Sequence, residues 1–429
     1  MGWEVRLSAP SDRPVELVTP KGLPPDAPAD LAAVNQRGWN LFTAGFHWPA
    51  AVIIEPILRR NSATMAAYCA RHGVSLAPHG KTTMAPDLFD IQLQDGAWAI
   101  TAATVWQARV MKAAGVPRVL LANEVVSAGE IGWLAEALAD PSFEISCYVD
   151  SIAGVEILDR VLSAHGIARP LPVLVELGVP EGRTGARSVV EAAAVAAAAG
   201  KTATLQVLGT SAFEGIISAR GPQSADDRVA TLLADLHRLT VMIAETGGFD
   251  ETPEVVISAG GSMFFDYVVA EFGRVDLGRA LRPVLRSGNY LMHADGGYEH
   301  SSPMGGDPRL PSSAGRLQAA MEVWGTVVSR PEPTRALVGV GKRDVSPDGS
   351  PPVVRGIRTA TGEPRPGTAT TVALNDQHAY LDVDADDPIA AGDLVAFGVN
   401  HGCTTFDKWR AITMVDEAYQ VRGVVRTYF

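Results

Sequence analysis

The sequence predicts an α/β protein, in which a (β/α)8 barrel is followed by a C-terminal, mostly antiparallel β domain. From about residue 74, short apolar runs alternate with amphipathic, alanine-rich segments. This alternation is typical of a parallel sheet covered by helices. Eight such units within about 220 residues suit a closed barrel, with a doubly wound open sheet as the alternative. Beyond about residue 315 the helical periodicity fades, and strand-like pieces separated by Pro/Gly clusters indicate the β domain.

The apolar runs place each element in order. The eight predicted barrel strands are 74–79, 97–101, 118–123, 143–149, 172–177, 203–209, 254–260 and 283–288. Helical stretches such as VWQARVMKAAG and RSVVEAAAVAAAAG lie between them. The strand-like pieces of the tail are EVWGTVVSR, ALVGVG, TATTVAL, AYLDV, DLVAFGV and YQVRGVVRTYF. We therefore expect an N-terminal segment (1–45) that packs with the β domain, a barrel (46–298) and a β domain (299–429).

Charge and composition narrow the classes of partner. The 429 residues carry a net charge of -12 that is spread along the chain, which argues against nucleic acid and anionic membranes. The longest nearly uncharged stretch, VVEAAAVAAAAG, is too short and alanine-rich to span a bilayer. The N-terminus shows no signal pattern, and the three cysteines, Cys69, Cys147 and Cys403, are an odd, sparse set. Both features predict a cytoplasmic protein with reduced thiols.

Lys81 is the first candidate for chemistry. The apolar run VSLAP stops abruptly, and His79, Gly80, Lys81 and Thr82 follow at once. A lysine on a loop is ordinarily solvated. However, active residues of a βα barrel gather where strands end, and an amine held there in a dry site can form a Schiff base. Other predicted strands also end in polar residues, namely Asn123, Glu124, Glu176, Arg183 and Tyr290.

The segment SAGGS, residues 258–262, is a candidate anion site. Gly260 and Gly261 let backbone amides approach an anion, and Ser262 can donate its hydroxyl at the start of the next helix. Taken alone, such a segment is also an ordinary turn and helix cap. A phosphate cradle across a barrel mouth from a lysine is what pyridoxal phosphate requires.

The segment GVNHGC near the C-terminus suggests a metal site. His401 and Cys403 are two positions apart, so in an extended chain they point to the same side. Imidazole and thiolate together suit zinc, and two ligands would leave an open site for water or substrate. The alternative is a buried cysteine beside an unrelated histidine. His378 is a further polar candidate, although such a histidine is more often a surface residue.

Together these motifs resemble the D-serine dehydratase and D-threonine aldolase family. The resemblance covers about residues 48 to 429. Its motifs, in order, are WPAAVIIEPILRRN, PHGKT, VELGVPEGRTG, SAGGS, SGNY, DQHAYL and NHGC. It implies a pyridoxal-phosphate enzyme of fold type III, with an alanine-racemase-type barrel and a β domain. It also implies a homodimer whose active site lies near the domain and subunit junctions.

The resemblance also implies roles for individual residues. Lys81 would carry pyridoxal phosphate and act as the catalytic base. His401 and Cys403 would bind a divalent metal, for which we expect Zn²⁺, with Mn²⁺ as the alternative. The residues that would hold the cofactor phosphate are Gly260, Gly261, Ser262 and Tyr290.

Two positions depart from the family pattern. Many relatives have a tyrosine where this chain has Phe213, and a histidine is often found where it has Ile216. The chain resembles a bacterial branch that is often called simply amino-acid deaminase. These departures remove hydrogen bonds that the loop could make to cofactor or substrate.

The activity that the resemblance implies is a lyase reaction on small D-β-hydroxy amino acids. A dehydratase would give a 2-oxo acid and ammonia, and Cys403 favours this branch because the aldolase branch more often has aspartate there. The alternatives are an aldolase, which would give glycine and an aldehyde, and a metal-independent racemase, which would need a second base. Candidates for binding the substrate carboxylate are Arg183, Arg286 and Arg343.

Overall fold

The computed structural model describes residues 19–220 and 223–429. The first 18 residues of the predicted N-terminal segment therefore lie outside the described residues. Two sheets organise the chain, an eight-stranded parallel sheet and a ten-stranded sheet. In the parts that the structure describes, every helix lacks the combination of length and apolarity that a membrane crossing needs.

Strands and helices alternate along the barrel part of the chain. The strands are β1 (Ala50–Ile54), β2 (Ser75–Leu76), β3 (Ile100–Ala102), β4 (Arg118–Glu124), β5 (Glu144–Val149), β6 (Leu171–Leu177), β7 (Leu205–Ala212), β8 (Val255–Ala259), β9 (Leu281–Leu285), β10 (Met321–Glu332), β11 (Arg335–Val338), β12 (Val353–Arg358), β13 (Pro364–Pro366), β14 (Thr370–Leu374), β15 (Ala379–Asp382), β16 (Leu394–Gly398), β17 (Ala411–Val415) and β18 (Val421–Arg426). The α-helices are α1 (Glu55–His72), α2 (Pro86–Gln94), α3 (Val105–Ala113), α4 (Ala128–Leu138), α5 (Ile152–His165), α6 (Val189–Ala199), α7 (Ala225–Glu245), α8 (Phe265–Phe272), α9 (Gly297–Ser301) and α10 (Cys403–Phe406). Short 3-10 helices cover Leu31–Arg37, Gly80–Thr82, Asn289–Leu291 and Ser312–Ala314.

Strands β2 to β9 form the predicted parallel barrel. The ladder runs in the order β2-β9-β8-β7-β6-β5-β4-β3. Between β2 and β3 the seam is joined by the Thr101 N–H, which donates to the Pro78 carbonyl at 2.8 Å, and by a parallel bridge from His79 to Thr101. All eight predicted barrel strands are confirmed in position and type.

The second sheet is mostly antiparallel, as predicted. Its main path is β13-β12-β16-β10-β1-β17-β18, and β11, β14 and β15 extend it from β10. Strand β1 pairs antiparallel with β10 and parallel with β17. Although β1 lies within the range expected for the barrel (46–298), it therefore belongs to the β sheet. Strands β12, β13 and β17 were not predicted. The first two are short segments next to Pro/Gly clusters, and β17 is a five-residue strand that is buried throughout and shows no alternation.

The N-terminal residues after position 18 pack on the β sheet. Leu31, Val34 and Leu41 are buried in a cluster with Trp324 of β10 and Ala411 of β17. Burying these apolar side chains ties the segment to the outer face of the sheet. The barrel interior has its own apolar filling, made by Ala77, Ala99, Leu120, Tyr148, Leu174, Val256 and Val284.

A substitution at Gly209 tests how closely neighbouring strands of the barrel approach each other. A Cβ at this position of β7 would lie 1.8 Å from the Val256 carbonyl oxygen of β8, which is backbone and cannot rotate away. We expect Gly209→Ala to destabilise the protein by about 3 kcal/mol or more. Urea unfolding followed by circular dichroism measures this loss.

The matched control is Gly423→Ala in β18, where a new Cβ would have no neighbour within 4 Å. We expect its midpoint to stay close to that of the wild type. Equal midpoints for the two variants would contradict the close approach of β7 and β8.

Candidate active site

The turn that carries Lys81 is fixed by close packing on both sides. A Cβ on Gly80 would lie 2.6 Å from the Met111 methyl group and 2.7 Å from an Ile100 methyl group. A Cβ on Gly288 would lie 2.6 Å from the His79 carbonyl oxygen. Only glycine fits at these two positions, so the 3-10 turn Gly80–Thr82 is held tightly at the end of the first barrel strand.

Lys81 is a half-buried amine with a lowered pKa. Burial is the main cause, and the nearby guanidinium groups of Arg183 and Arg286 add to it, while Cys403 opposes it. A larger fraction of the amine is therefore neutral at physiological pH than for an exposed lysine. The neutral amine is the form that attacks a carbonyl or accepts a proton.

His79 lies directly before this turn and is buried. Burial, together with the charges of Lys81 and Arg286, holds its pKa well below the usual range. Its Nδ1 accepts no hydrogen bond from the described residues. The ring is thus a neutral imidazole with an unused acceptor nitrogen at the barrel mouth.

The amides of Gly260 and Gly261 do not face open space. Both donate hydrogen bonds to the buried carboxylate of Glu214, at 3.1 Å and 2.5 Å respectively. In the described chain, the next amides, those of Ser262, Met263 and Phe264, donate no hydrogen bond. The group of free amides at the start of α8 is therefore shifted by one to three residues from the predicted glycines.

The side chain of Tyr290 points away from the barrel mouth. It is buried, and its hydroxyl accepts a hydrogen bond from Gln92 Nε2 at 3.1 Å, in a cavity of about 240 Å³ beside Cys69 and Asp95. Of the four residues predicted to hold a phosphate, Ser262 has a free backbone donor at the mouth. The Tyr290 hydroxyl is directed elsewhere.

The two departures from the family pattern lie on the loop after β7. The Phe213 ring faces the Arg183 guanidinium, with 4.6 Å from its central carbon to the ring centroid. Ile216 is 41% exposed. The aromatic face thus supports an arginine at the mouth by a cation–π contact, although it has no hydroxyl to donate.

Arg286 is the buried cation of the mouth. Its guanidinium donates to Ser258 Oγ at 2.7 Å, to Ser211 Oγ at 3.2 Å and to the Ala212 carbonyl at 2.7 Å. The positively charged guanidinium of Arg286 is therefore held near Lys81 by uncharged acceptors on β7 and β8. Arg343, by contrast, is exposed on the β domain and pairs with Asp376 at 3.3 Å. His378 is also exposed there.

His401 and Cys403 lie side by side, as the H-x-C spacing predicts. A hydrogen bond with Cys403 is the main cause that raises the pKa of His401 to about 9. Burial alone would raise the pKa of Cys403, but its hydrogen bonds with His401 and Thr82 lower it overall. The hydrogen bond between the two side chains thus moves the pKa of each toward its charged form, imidazolium for His401 and thiolate for Cys403.

Asp348 orients the imidazole of His401 by contacting its Nδ1 atom. Its carboxylate lies 2.8 Å from His401 Nδ1 and accepts a hydrogen bond from the Thr404 hydroxyl at 2.7 Å. A carboxylate on one imidazole nitrogen leaves the other nitrogen to coordinate a metal. Within residues 19–220 and 223–429, three or more His, Cys, Asp or Glu side chains do not gather into a metal-binding group.

The lysine turn and the H-x-C pair meet at the junction of the two domains. Cys403 Sγ lies 3.3 Å from Thr82 Oγ1, the residue directly after Lys81. Next to His401, a cavity of about 450 Å³ is lined by Tyr298, Ser350 and Asn400 among others. The structure therefore brings Lys81, Ser262, Arg183, Arg286, His401 and Cys403 to one region.

Sequence reasoning missed the residues whose roles depend on distant contacts. Asp348 lies in the Pro/Gly-rich segment SPDGSPP, which looks like a linker. Glu214 and Tyr298 were likewise not chosen. The only signal for Glu214 was its place after a barrel strand, and nothing in the sequence links Asp348 to His401.

Comparisons with known proteins agree with this site. Residues 320–415 match the family described as "Putative serine dehydratase domain". A D-threonine aldolase from Arthrobacter sp is 26% identical over 342 residues, which are 78% of this chain and 80% of that protein.

Solved structures share the fold over almost the whole chain. The D-threonine aldolase from Filomicrobium marinum has a TM-score of 0.73 and 24% identity, covering 90% of this chain and 96% of that one. The D-threo-3-hydroxyaspartate dehydratase from Delftia sp. HT23 has a TM-score of 0.69 and 20% identity, covering 89% and 97%. Structures of that enzyme include a cysteine-to-alanine variant in a metal-free form and a variant of a histidine two positions earlier.

The three cysteines should differ sharply in reactivity. Burial raises the pKa of Cys69 and of Cys147 to about 12, whereas Cys403 is partly exposed and has a lowered pKa. We expect iodoacetamide at pH 7 to alkylate Cys403 at least about tenfold faster than the other two. Peptide mass spectrometry after timed quenching measures the three rates.

Zinc provides the control for this labelling. A metal held by Cys403 should protect it, and Asp348→Asn should weaken the protection because the imidazole loses its orienting carboxylate. Equal labelling of all three cysteines would contradict the described environment of Cys403.

Proposed function

We propose that this chain is a pyridoxal-phosphate-dependent and metal-dependent lyase of small D-β-hydroxy amino acids, of the D-serine dehydratase and D-threonine aldolase family. The fold is the one that alanine racemases share. The observation that carries the proposal is the contact between Thr82 and Cys403. It joins a lysine of lowered pKa to an imidazole–thiolate pair across the domain junction.

The residues at the barrel mouth fit pyridoxal phosphate. Lys81 offers a half-buried amine, and the free amides of Ser262, Met263 and Phe264 offer an anion site at the start of α8. When bound, the cofactor supplies an electron sink for the electrons of the substrate Cα–H bond. Lys81 Nζ would hold the cofactor and then accept the Cα proton, which its lowered pKa favours.

The cofactor phosphate could bind the amides of Gly260 and Gly261 only if those amides released the Glu214 carboxylate. Two negative groups compete for the same donors, so we propose that the phosphate takes the amides of residues 262–264 and the Ser262 hydroxyl. Glu214 then keeps the strand end of β8 in shape. Tyr290 would contribute to the cofactor site only through its backbone.

The H-x-C pair fits a divalent metal. Cys403 Sγ and the His401 nitrogen that faces it would be the two protein ligands, and Asp348 would hold the other imidazole nitrogen. Substrate and water would fill the remaining positions. The variants of the Delftia enzyme, which change a cysteine and a histidine two positions apart, support this assignment.

The substrate carboxylate needs a cation within reach of Lys81. Arg183 and Arg286 both influence the pKa of Lys81, but Arg286 is buried and already engaged by three acceptors. Arg183 is exposed and lies over the Phe213 ring. We therefore assign the carboxylate to Arg183 and exclude Arg343, which lies away from the site.

The reaction outcome depends on what happens to the β-hydroxyl group. For a dehydratase the metal must help the hydroxyl to leave, and for an aldolase the hydroxyl must lose its proton. We propose the dehydratase outcome because a cysteine stands at position 403. The aldolase is the second candidate, since relatives in both comparisons are D-threonine aldolases.

A product assay tests the function. Protein loaded with pyridoxal phosphate and zinc is incubated with D-serine, D-threonine and D-3-hydroxyaspartate, with the L forms as controls. We expect ammonia and a 2-oxo acid from at least one D form and at least about 100-fold less from its L form. Ammonia and the 2-oxo acid are measured enzymatically.

Two other outcomes would change the proposal. Glycine and an aldehyde would establish the aldolase and refute the inference from Cys403. Turnover that survives removal of the metal by a chelator, with racemised substrate as product, would instead support a racemase.

Lys81→Ala tests the cofactor assignment. We expect loss of the visible absorbance of the lysine-bound cofactor and a fall in kcat of about 1,000-fold or more, because both the attachment point and the base are removed. Absorbance spectra and steady-state rates measure the two effects.

Lys201→Ala is the matched control, since Lys201 is exposed at the end of α6. It should keep the spectrum and rate of the wild type. Full cofactor absorbance in Lys81→Ala would mean that a different amine carries the cofactor.

A further inference from the structure

Two buried carboxyl groups stand at the barrel mouth without a partner. Glu124 ends β4, and Glu176 lies near the end of β6. Glu176 is 5% exposed, and its Oε2 accepts no hydrogen bond from the described residues. Neither carboxylate oxygen of Glu124 has such a donor either. Unpaired buried carboxylates are costly, so these three oxygen atoms require an explanation.

Strand register places the two groups at the same end of the barrel interior. Glu124 is the partner of Tyr148 across β4 and β5, and Tyr148 is the partner of Leu174, two residues before Glu176, across β5 and β6. Two adjacent carboxylates cannot both be ionised without strong repulsion, but one proton between them removes the repulsion and forms a hydrogen bond. Burial, followed by the charges of Glu176 and Asp150, raises the pKa of Glu124 to about 8. Asp150 itself accepts a hydrogen bond from the Gly185 amide at 3.0 Å.

A chain of neighbouring side chains joins this pair to Arg286, beginning at Tyr148, which is the partner of Glu124 in the register of β4 and β5. Both glutamates are close enough to influence the Tyr148 hydroxyl, whose pKa is raised to about 12, mainly by burial. Ser211 donates to the Tyr148 oxygen at 2.8 Å, and Arg286 donates to Ser211. The chain crosses the barrel from β4 and β6 to the cation beside Lys81.

We propose that Glu124 and Glu176 share a single proton and act as positioning residues, whose one negative charge holds Arg286 at the mouth through Tyr148 and Ser211. Gain of a second negative charge would draw the guanidinium toward the pair and away from the bound cofactor. The inference rests on the proposed function in one respect, that Arg286 faces the bound cofactor. The shared proton itself does not depend on it.

The sign of the pH dependence follows from the shared proton. Between the ordinary glutamate value of 4.5 and about 8, the folded protein binds more protons at this site than the unfolded chain. Stability contributed by the pair is therefore fully present at low pH and is lost as the pH rises through about 8. The other titratable groups that face the pair are Cys147, Tyr148 and Asp150, whereas Arg286 acts on Tyr148.

Glu124→Gln tests the shared proton in the cofactor-free protein. The amide keeps a hydrogen-bond donor toward Glu176 but cannot ionise, so the pair keeps one negative charge at every pH. We expect the wild-type Tm to fall by a few degrees between pH 5 and pH 8, and the fall to be absent in the variant. Differential scanning calorimetry measures this without any turnover.

Cofactor binding provides the second readout. We expect the affinity of the wild type for pyridoxal phosphate, titrated by absorbance, to weaken by about tenfold from pH 7 to pH 9. In Glu124→Gln it should change less than about threefold. The matched control, Glu136→Gln on the exposed face of α4, should follow the wild type in both measurements.

The proposal is overturned if Glu124→Gln follows the wild type in its pH dependence of Tm. Should that variant not fold, Glu176→Gln answers the same question, because either amide leaves one negative charge. A wild-type Tm that is flat from pH 5 to pH 8 also overturns the shared proton. An unchanged affinity in every protein, with the Tm result as expected, overturns the link to Arg286. If the Tm and affinity results are as expected but the protein shows no turnover, only the proposed reaction is rejected.

Discussion

The seam between the first and second barrel strands is the constraint on which the site depends. Trp98 N–H donates to the Leu76 carbonyl at 2.7 Å, and Thr101 donates from its amide to Pro78 and from its hydroxyl to Ala77 at 2.6 Å. These bonds close the barrel directly before the turn with Lys81. Because parallel strands end at one edge, closing the barrel is what brings the lysine to the same mouth as the other strand ends.

The β domain is attached to the same short segment. Cys403 contacts Thr82, and the Tyr428 amide donates to the Met84 carbonyl at 2.8 Å. Lys81 and the H-x-C pair are thus positioned by one turn and by its two neighbours. A shift of the turn would move both groups together, so their separation is protected against small movements between the domains.

Periodicity and residue chemistry predicted much of this arrangement, and contacts between distant residues explain what they could not. The apolar strands repeat often enough to reveal eight parallel units. Lys81 and the H-x-C pair are candidates because of their places in the sequence, a lysine directly after an apolar strand and two possible ligands two positions apart. Asp348 could not be found, because it lies 53 residues from His401 and only folding brings them together. The Gly260 and Gly261 amides looked free because nothing in the sequence shows that the Glu214 carboxylate fills them. Likewise, β1 joins the β sheet by pairing with β10, about 270 residues away along the chain.

The charged side chains at the barrel mouth are partly removed from water, so positive and negative charges there must offset each other. Lys81, Arg183 and Arg286 place positive charge on one side, and a dianionic phosphate with a substrate carboxylate would compensate it only when both are bound. When neither ligand is bound, the carboxyl groups of Glu124, Glu176 and Asp150 supply the negative charge within the barrel that offsets the positive charge of the mouth. If all three were ionised they would oppose binding of the anionic ligands. A shared proton limits the fixed charge, keeps the guanidinium in place, and leaves a net positive mouth for an anionic cofactor and substrate.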